Sequence, residues 1–155
     1  MIRSLLIALS LLLLLPFAAP GSADELRKPE VWTDLYGVAL KGYDPVAYHL
    51  AGEAVLGDPA LELEWKGAKW HFANAANRTR FQADPERWAP QYGGYCAWAI
   101  VEDRFAPINP EIFKVVDGKL YLNLNMRVHN LWLEKMDSFI TRADEKWPDV
   151  LVLAD

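Results

Sequence analysis

The chain has 155 residues, is just over half apolar and carries a formal charge of −5, a composition that excludes disorder and fits one domain with its own core. One cysteine excludes an intramolecular disulfide and a four-cysteine zinc site. The negative charge argues against a protein that coats phosphate backbones, so no nucleic-acid partner is expected.

Residues 1–23 read as a cleavable secretory signal. Arg3 supplies the positive start, Leu5–Leu15 the apolar run, Pro16 its break, and Gly21-Ser22-Ala23 the small residues before Asp24. The run falls short of the ~20 residues that span a bilayer. The expected product is periplasmic or secreted, with no membrane span in the mature chain. No cysteine lies near the cleavage point, so no lipid anchor is expected. Residues 24–35 read as a mobile polar lead-in, residues 36–148 as the domain, and residues 149–155 as a tail.

Asp44-Pro45 reads as a helix start, Asp44 capping and Pro45 at the first helical position, with the helix running to Leu50 and stopping at Gly52. Leu61–Lys66 alternates as a strand, Gly67-Ala68 turns, and Lys69–Ala73 returns. A two-residue turn there predicts Trp65 opposite Trp70 and Leu63 opposite Phe72, with His71 and Glu64 paired on the non-core face. Asn74 caps a helix over Ala75–Ala83, and Asp84-Pro85 restarts the chain as a capped turn through Trp88. The paired glycines of Tyr92-Gly93-Gly94-Tyr95 permit backbone angles barred to other residues. Ile112–Val116 and Lys119–Leu124 form a hairpin about Asp117-Gly118. Val128, Leu131, Trp132, Met136, Phe139, Ile140, Ala143 and Trp147 fall on one stripe, predicting a long amphipathic helix over Met126–Lys146, capped by Asn125 and ended by Pro148. Two antiparallel hairpins with several helices and no βαβ alternation make the fold class α+β.

The ordered motifs Gly42-Tyr43-Asp44-Pro45-Val46-Ala47-Tyr48, Trp65-x-Gly67-x-x-Trp70-His71-Phe72-Ala73-Asn74, and Asn77-Arg78 through Asp84-Pro85 to Gln91-Tyr92-Gly93-Gly94-Tyr95-Cys96-Ala97 resemble the secreted branch of the YHS-domain family. Asp117-Gly118-Lys119-Leu120-Tyr121-Leu122-Asn123 and the helix to Trp147-Pro148 extend the likeness. The resemblance implies a small α+β domain. The broader family is associated with soft-metal handling, for instance beside copper-transporting ATPases. Its metal-linked members carry cysteines where this sequence has Ala47, Ala73 and Asn77. Thiolates select copper(I) or zinc, and an alanine methyl cannot ligate, so the metal role does not carry over through those positions.

Few reactive groups remain. Cys96, the only thiol, reads either as a small buried hydrophobe or as a group kept for chemistry. His129 and Met136 lie one to two helical turns apart and suit copper together with Cys96. His129 on its own reads as a boundary histidine over the core stripe. The tyrosines outside the strands can present hydroxyls to a ligand or fill the core. The expected ligand site gathers Asp44, Tyr48, Tyr92, Gly93, Gly94, Tyr95, Asn123 and Asn125, the two asparagines sharing one strand face by period two. No nucleophile elbow, metalloprotease helix or phosphate loop is present. The expected function is an exported binding or accessory module for a small ligand or a soft metal ion, copper being the candidate. A thiol redox protein using Cys96 and a purely structural or interaction domain are the alternatives, and a binding module is favoured over an enzyme. Oligomeric state has no signature in the sequence.

Overall fold

The computed structural model describes residues 27–152; the 1–23 signal lies outside the described residues. The fold is α+β and small: two separate two-stranded antiparallel sheets with helices packed around them.

The lead-in is anchored rather than loose where it is described. Lys28 N–H donates to the Leu151 carbonyl at 2.9 Å and Trp32 N–H to the Gly93 carbonyl at 2.9 Å. The Tyr95 hydroxyl donates to the Pro29 carbonyl at 2.9 Å, and Val31 is buried. Helix α1 (Pro45–Leu50) starts as its sequence dictates. The Asp44 carboxylate accepts from Val46 N–H and Ala47 N–H, Pro45 takes the first turn, and Gly52 leaves the helix at φ +70°.

Strands β1 (Asp58–Trp65) and β2 (Ala68–Phe72) pair about a Lys66-Gly67 turn. Both turn residues are left-handed, at φ +49° and +70°, the geometry that matches strand twist. This moves the register by two residues from expectation. Trp65 stands opposite Ala68, Leu63 opposite Trp70, and His71 opposite Glu62 rather than Glu64. A shift of two preserves the faces, so Trp70 and Phe72 are still core while Leu61, Leu63 and Trp65 pack at its edge. An irregularity between Asp58 and Glu62 lengthens β1 beyond its alternating part.

Helix α2 (Ala75–Ala83) is capped by Asn74, which accepts from Asn77 N–H at 2.9 Å. Helix α3 (Pro85–Trp88) follows, but Asp84 makes no side-chain cap bond. After a turn at Gln91–Gly94 comes α4 (Ala97–Val101), a single buried turn and a half that no periodicity announced. Strands β3 (Phe113–Val116) and β4 (Lys119–Leu122) pair about Asp117-Gly118, both left-handed.

The expected single C-terminal helix is two: α5 (Met126–Glu134) and α6 (Met136–Lys146), separated by Lys135 at φ −137°, ψ 36°. Lys135 is a good helix former, so the break is tertiary in origin. Helix α5 buries Trp132 and α6 buries Ala143 in the same cluster on either side of the break.

Two apolar clusters fill the interior. The first holds Tyr48, Trp70, Phe72, Phe81 and Cys96; the second holds Tyr92, Tyr95, Ile100, Trp132 and Leu151. Strand β4 stands between them. Leu120 and Leu122 belong to the first and Tyr121 to the second, the period-two alternation of a strand buried on both faces.

Candidate functional site

The residues expected to form a ligand site are mostly occupied by the fold itself. Asp44 is completely buried. Its Oδ1 accepts from Val46 N–H at 2.8 Å and Ala47 N–H at 3.3 Å, and its Oδ2 from Ala73 N–H at 2.9 Å and the Asn77 amide at 2.7 Å. These are the places where the family resemblance puts cysteines. Here Ala47, Ala73 and Asn77 converge on one carboxylate, which ties α1 to the end of β2 and to α2. A buried charge held by four donors is stabilising because every lone-pair direction is used, and it has nothing left to offer a ligand. The Tyr48 hydroxyl is buried and donates to the Pro110 carbonyl at 2.9 Å, while that of Tyr95 is spent on Pro29. Gly94 is buried beneath Pro90 and Leu40.

The asparagines do not share a face. Strand β4 ends at Leu122, so the period-two rule stops before them. Asn123 is completely buried and Asn125 is an exposed helix cap, accepting from Val128 N–H at 2.9 Å.

Cys96 is sealed, with 1% of its surface exposed. Its Sγ lies 3.8 Å from the Asn123 amide nitrogen, and the Asn123 carbonyl oxygen lies 2.8 Å from His129 Nδ1. The order is therefore thiol, amide, imidazole, with the amide between the two expected ligands. His129 is buried and stacks on Trp132, and burial together with the Lys114 charge pulls its pKa below the usual histidine value. Met136 packs with the second cluster and Cys96 with the first. Cys96, His129 and Met136 do not fit a copper(I) centre in this arrangement, since Asn123 already bonds both of the first two. Among the described residues no three His, Cys, Asp or Glu side chains gather as a metal ion requires. His71 is buried rather than on an open face, and bonds Glu62 Oε2 at 3.2 Å.

An open groove lies elsewhere, with a volume of about 230 Å³. Of the expected residues, Tyr92 and Gly93 line it. One wall is the chain at Glu30-Val31, laid so closely on Gly93 that a Cβ there would meet the Glu30 carbonyl oxygen at 1.7 Å. That contact is why glycine stands at Gly93. A second wall is the β1–β2 turn. Lys66 bonds the carboxylates of Glu30 and Glu86, and its ammonium sits 4.7 Å from the centre of the Trp65 ring. Burial lowers the Lys66 pKa, but the hydrogen bonds and charges of Glu30 and Glu86 outweigh it and raise the pKa overall.

The third wall joins Tyr92 to α6. The Tyr92 hydroxyl donates to Asp144 Oδ1 at 2.8 Å, and the Trp147 ring lies 6.0 Å from that of Tyr92. Tyr92 has φ +55°, ψ 36°, a left-handed backbone that costs a bulky residue about 1–2 kcal/mol. Such strain collects where side chains must be aimed. Burial, then the Asp144 bond and charge, push the Tyr92 pKa far up, so it stays a neutral donor. Lys119, at the start of β4, completes the lining.

Lys119, Asp144 and Trp147 were not among the expected residues. They come from a turn, a helix flank and a helix end, which no spacing rule connects. Trp147 was legible only as the end of the apolar stripe and Lys119 only as a strand start, while Asp144 carried no signal. No helix among the described residues is long and apolar enough to cross a membrane. Comparison with models of protein families, with curated proteins and with solved structures finds no match to this chain.

Proposed function

We propose that this protein is an exported small-ligand-binding module of YHS-like fold, and that its site is the groove between Tyr92, Asp144, Trp147, Trp65 and Lys119. One observation carries the reading. In this groove a strained tyrosine holds a carboxylate whose second oxygen has no hydrogen-bond partner among the described residues, beside aromatic rings. The polar groups of Asp44, Tyr48 and Tyr95, by contrast, are spent on internal bonds. Sites for small molecules are concave and carry fixed polar groups beside apolar walls; here Trp65, Trp70, Tyr92 and Trp147 supply the walls and charged side chains much of the rest. The export half rests on the pattern of Met1–Ala23.

The test is a fragment titration of the mature protein followed by NMR. The Trp65 and Trp147 indole N–H signals should move together with the Tyr92 and Gly93 amides. A broad library that moves none of them overturns the site. N-terminal sequencing of the protein recovered outside the cytoplasm should begin at Asp24; an intact Met1 overturns export. The thiol alternative is addressed by alkylation. Cys96 should react with iodoacetamide only at the rate at which the domain opens, and fast labelling of the folded protein would restore it as a reactive centre.

A further inference from the structure

Resting on the groove as the binding site, we propose that its ligand is a zwitterion of single-residue size, a free α-amino acid being the simplest member. Five charged side chains line the groove. Three form a trio with one negative charge in excess: Lys66 lies between Glu30 and Glu86, its ammonium on the face of Trp65. That trio already shows the groove accommodating an ammonium between carboxylates on an aromatic face, with the protein's own lysine in the place. The other two are open. Lys119 makes no ion pair among the described residues, and Asp144 has none either, its only bond being the Tyr92 hydroxyl on Oδ1. Asp144 Oδ2 is thereby left for a donor, in an orientation fixed by the bond on its other oxygen.

The open anion and the open cation on the same groove are both satisfied only by a ligand that carries both charges. A plain amine satisfies Asp144 and leaves Lys119 as a like charge. A plain carboxylate satisfies Lys119 and meets Asp144, Glu30 and Glu86. A molecule with both groups satisfies both, with its ammonium on Asp144 and its carboxylate on Lys119. The rings of Tyr92, Trp147 and Trp65 then contact its side chain. The volume, about 230 Å³, is below the roughly 300–1,000 Å³ usual for drug-sized ligands, so one residue is accommodated rather than a peptide.

The experiment titrates the mature protein with each standard free amino acid, and then compares the best binder with its amide, its N-acetyl derivative and a neutral polyol. The expected result is that the free amino acid binds at least tenfold more tightly than either blocked form. Asp144→Asn, which keeps an oxygen for Tyr92, and Lys119→Gln, at an exposed turn, should each weaken it about tenfold, the first lowering the melting temperature only slightly and the second not at all. If a blocked form or the polyol binds as well as the free amino acid, the zwitterion is overturned and the groove stands. If no free amino acid moves the groove signals while other fragments do, the zwitterion again falls alone. If neither they nor any fragment moves them, both fall.

Discussion

The carboxylates of Asp44 and Asp144 are a contrast in what a polar group is for. Asp44 has no exposed surface and four donors, drawn from α1, the end of β2 and α2. Asp144 lies on the outer side of α6 with one donor, Tyr92, and one free oxygen. The first holds three elements in register and is chemically finished. The second is positioned and incomplete. Motif density along the sequence points to Asp44, yet of the two carboxylates it is Asp144 that keeps an oxygen without a hydrogen-bond partner among the described residues.

The largest expected effect falls on the finished carboxylate. Asp44→Ala strands a buried amide and three backbone N–H groups, and should cost about 4 kcal/mol in urea unfolding. A loss under about 1 kcal/mol would erase the contrast. Next comes Gly93→Ala, where a left-handed backbone and the Glu30 carbonyl both oppose a Cβ; about 3 kcal/mol is expected. Hydrogen exchange should accelerate at Trp32, whose N–H bonds the Gly93 carbonyl. Tyr92→Phe removes one bond to a carboxylate and should cost about 1.5 kcal/mol, with the groove otherwise intact.

The smallest effect is in pH. His129 releases its proton more readily folded than unfolded, because burial and Lys114 oppose its charge. Its contribution is therefore present above the unfolded value near 6.5 and is lost as pH falls through the lower folded value. Burial, with Arg87, moves His49 the same way, opposed by its bond to the Trp88 carbonyl. Melting temperatures of wild type and His129→Gln between pH 7 and 5 should show the variant losing about 2 °C less. Parallel profiles would remove His129 from the pH response.

Elements fixed by local chemistry were legible in the sequence. Asn74, Asn125 and Asp44 cap as read, and Asp117-Gly118 turns as read, since each depends on a few adjacent residues. Where tertiary packing decides, the sequence misled. Lys66-Gly67 took the first turn although glycine-alanine followed, moving Trp65 opposite Ala68. Lys135 broke a stripe that is periodic on both sides of it. The tyrosines expected to face a ligand include Tyr48 and Tyr95, whose hydroxyls find carbonyls distant in sequence. Cys96 and His129 did come close, but through the buried amide of Asn123. The groove itself was illegible, because Glu30, Lys66, Lys119 and Asp144 meet only after the chain has closed on itself.

That closure has a consequence for synthesis. Lys28 and Leu151, joined backbone to backbone, form a seam between the two extremes of the described chain. The segment bearing Glu30 is fastened next to a residue translated more than a hundred positions later. On the ribosome, the hairpins can form while this seam is still open. The groove is closed only once the segment bearing Leu151 has emerged and paired with Lys28.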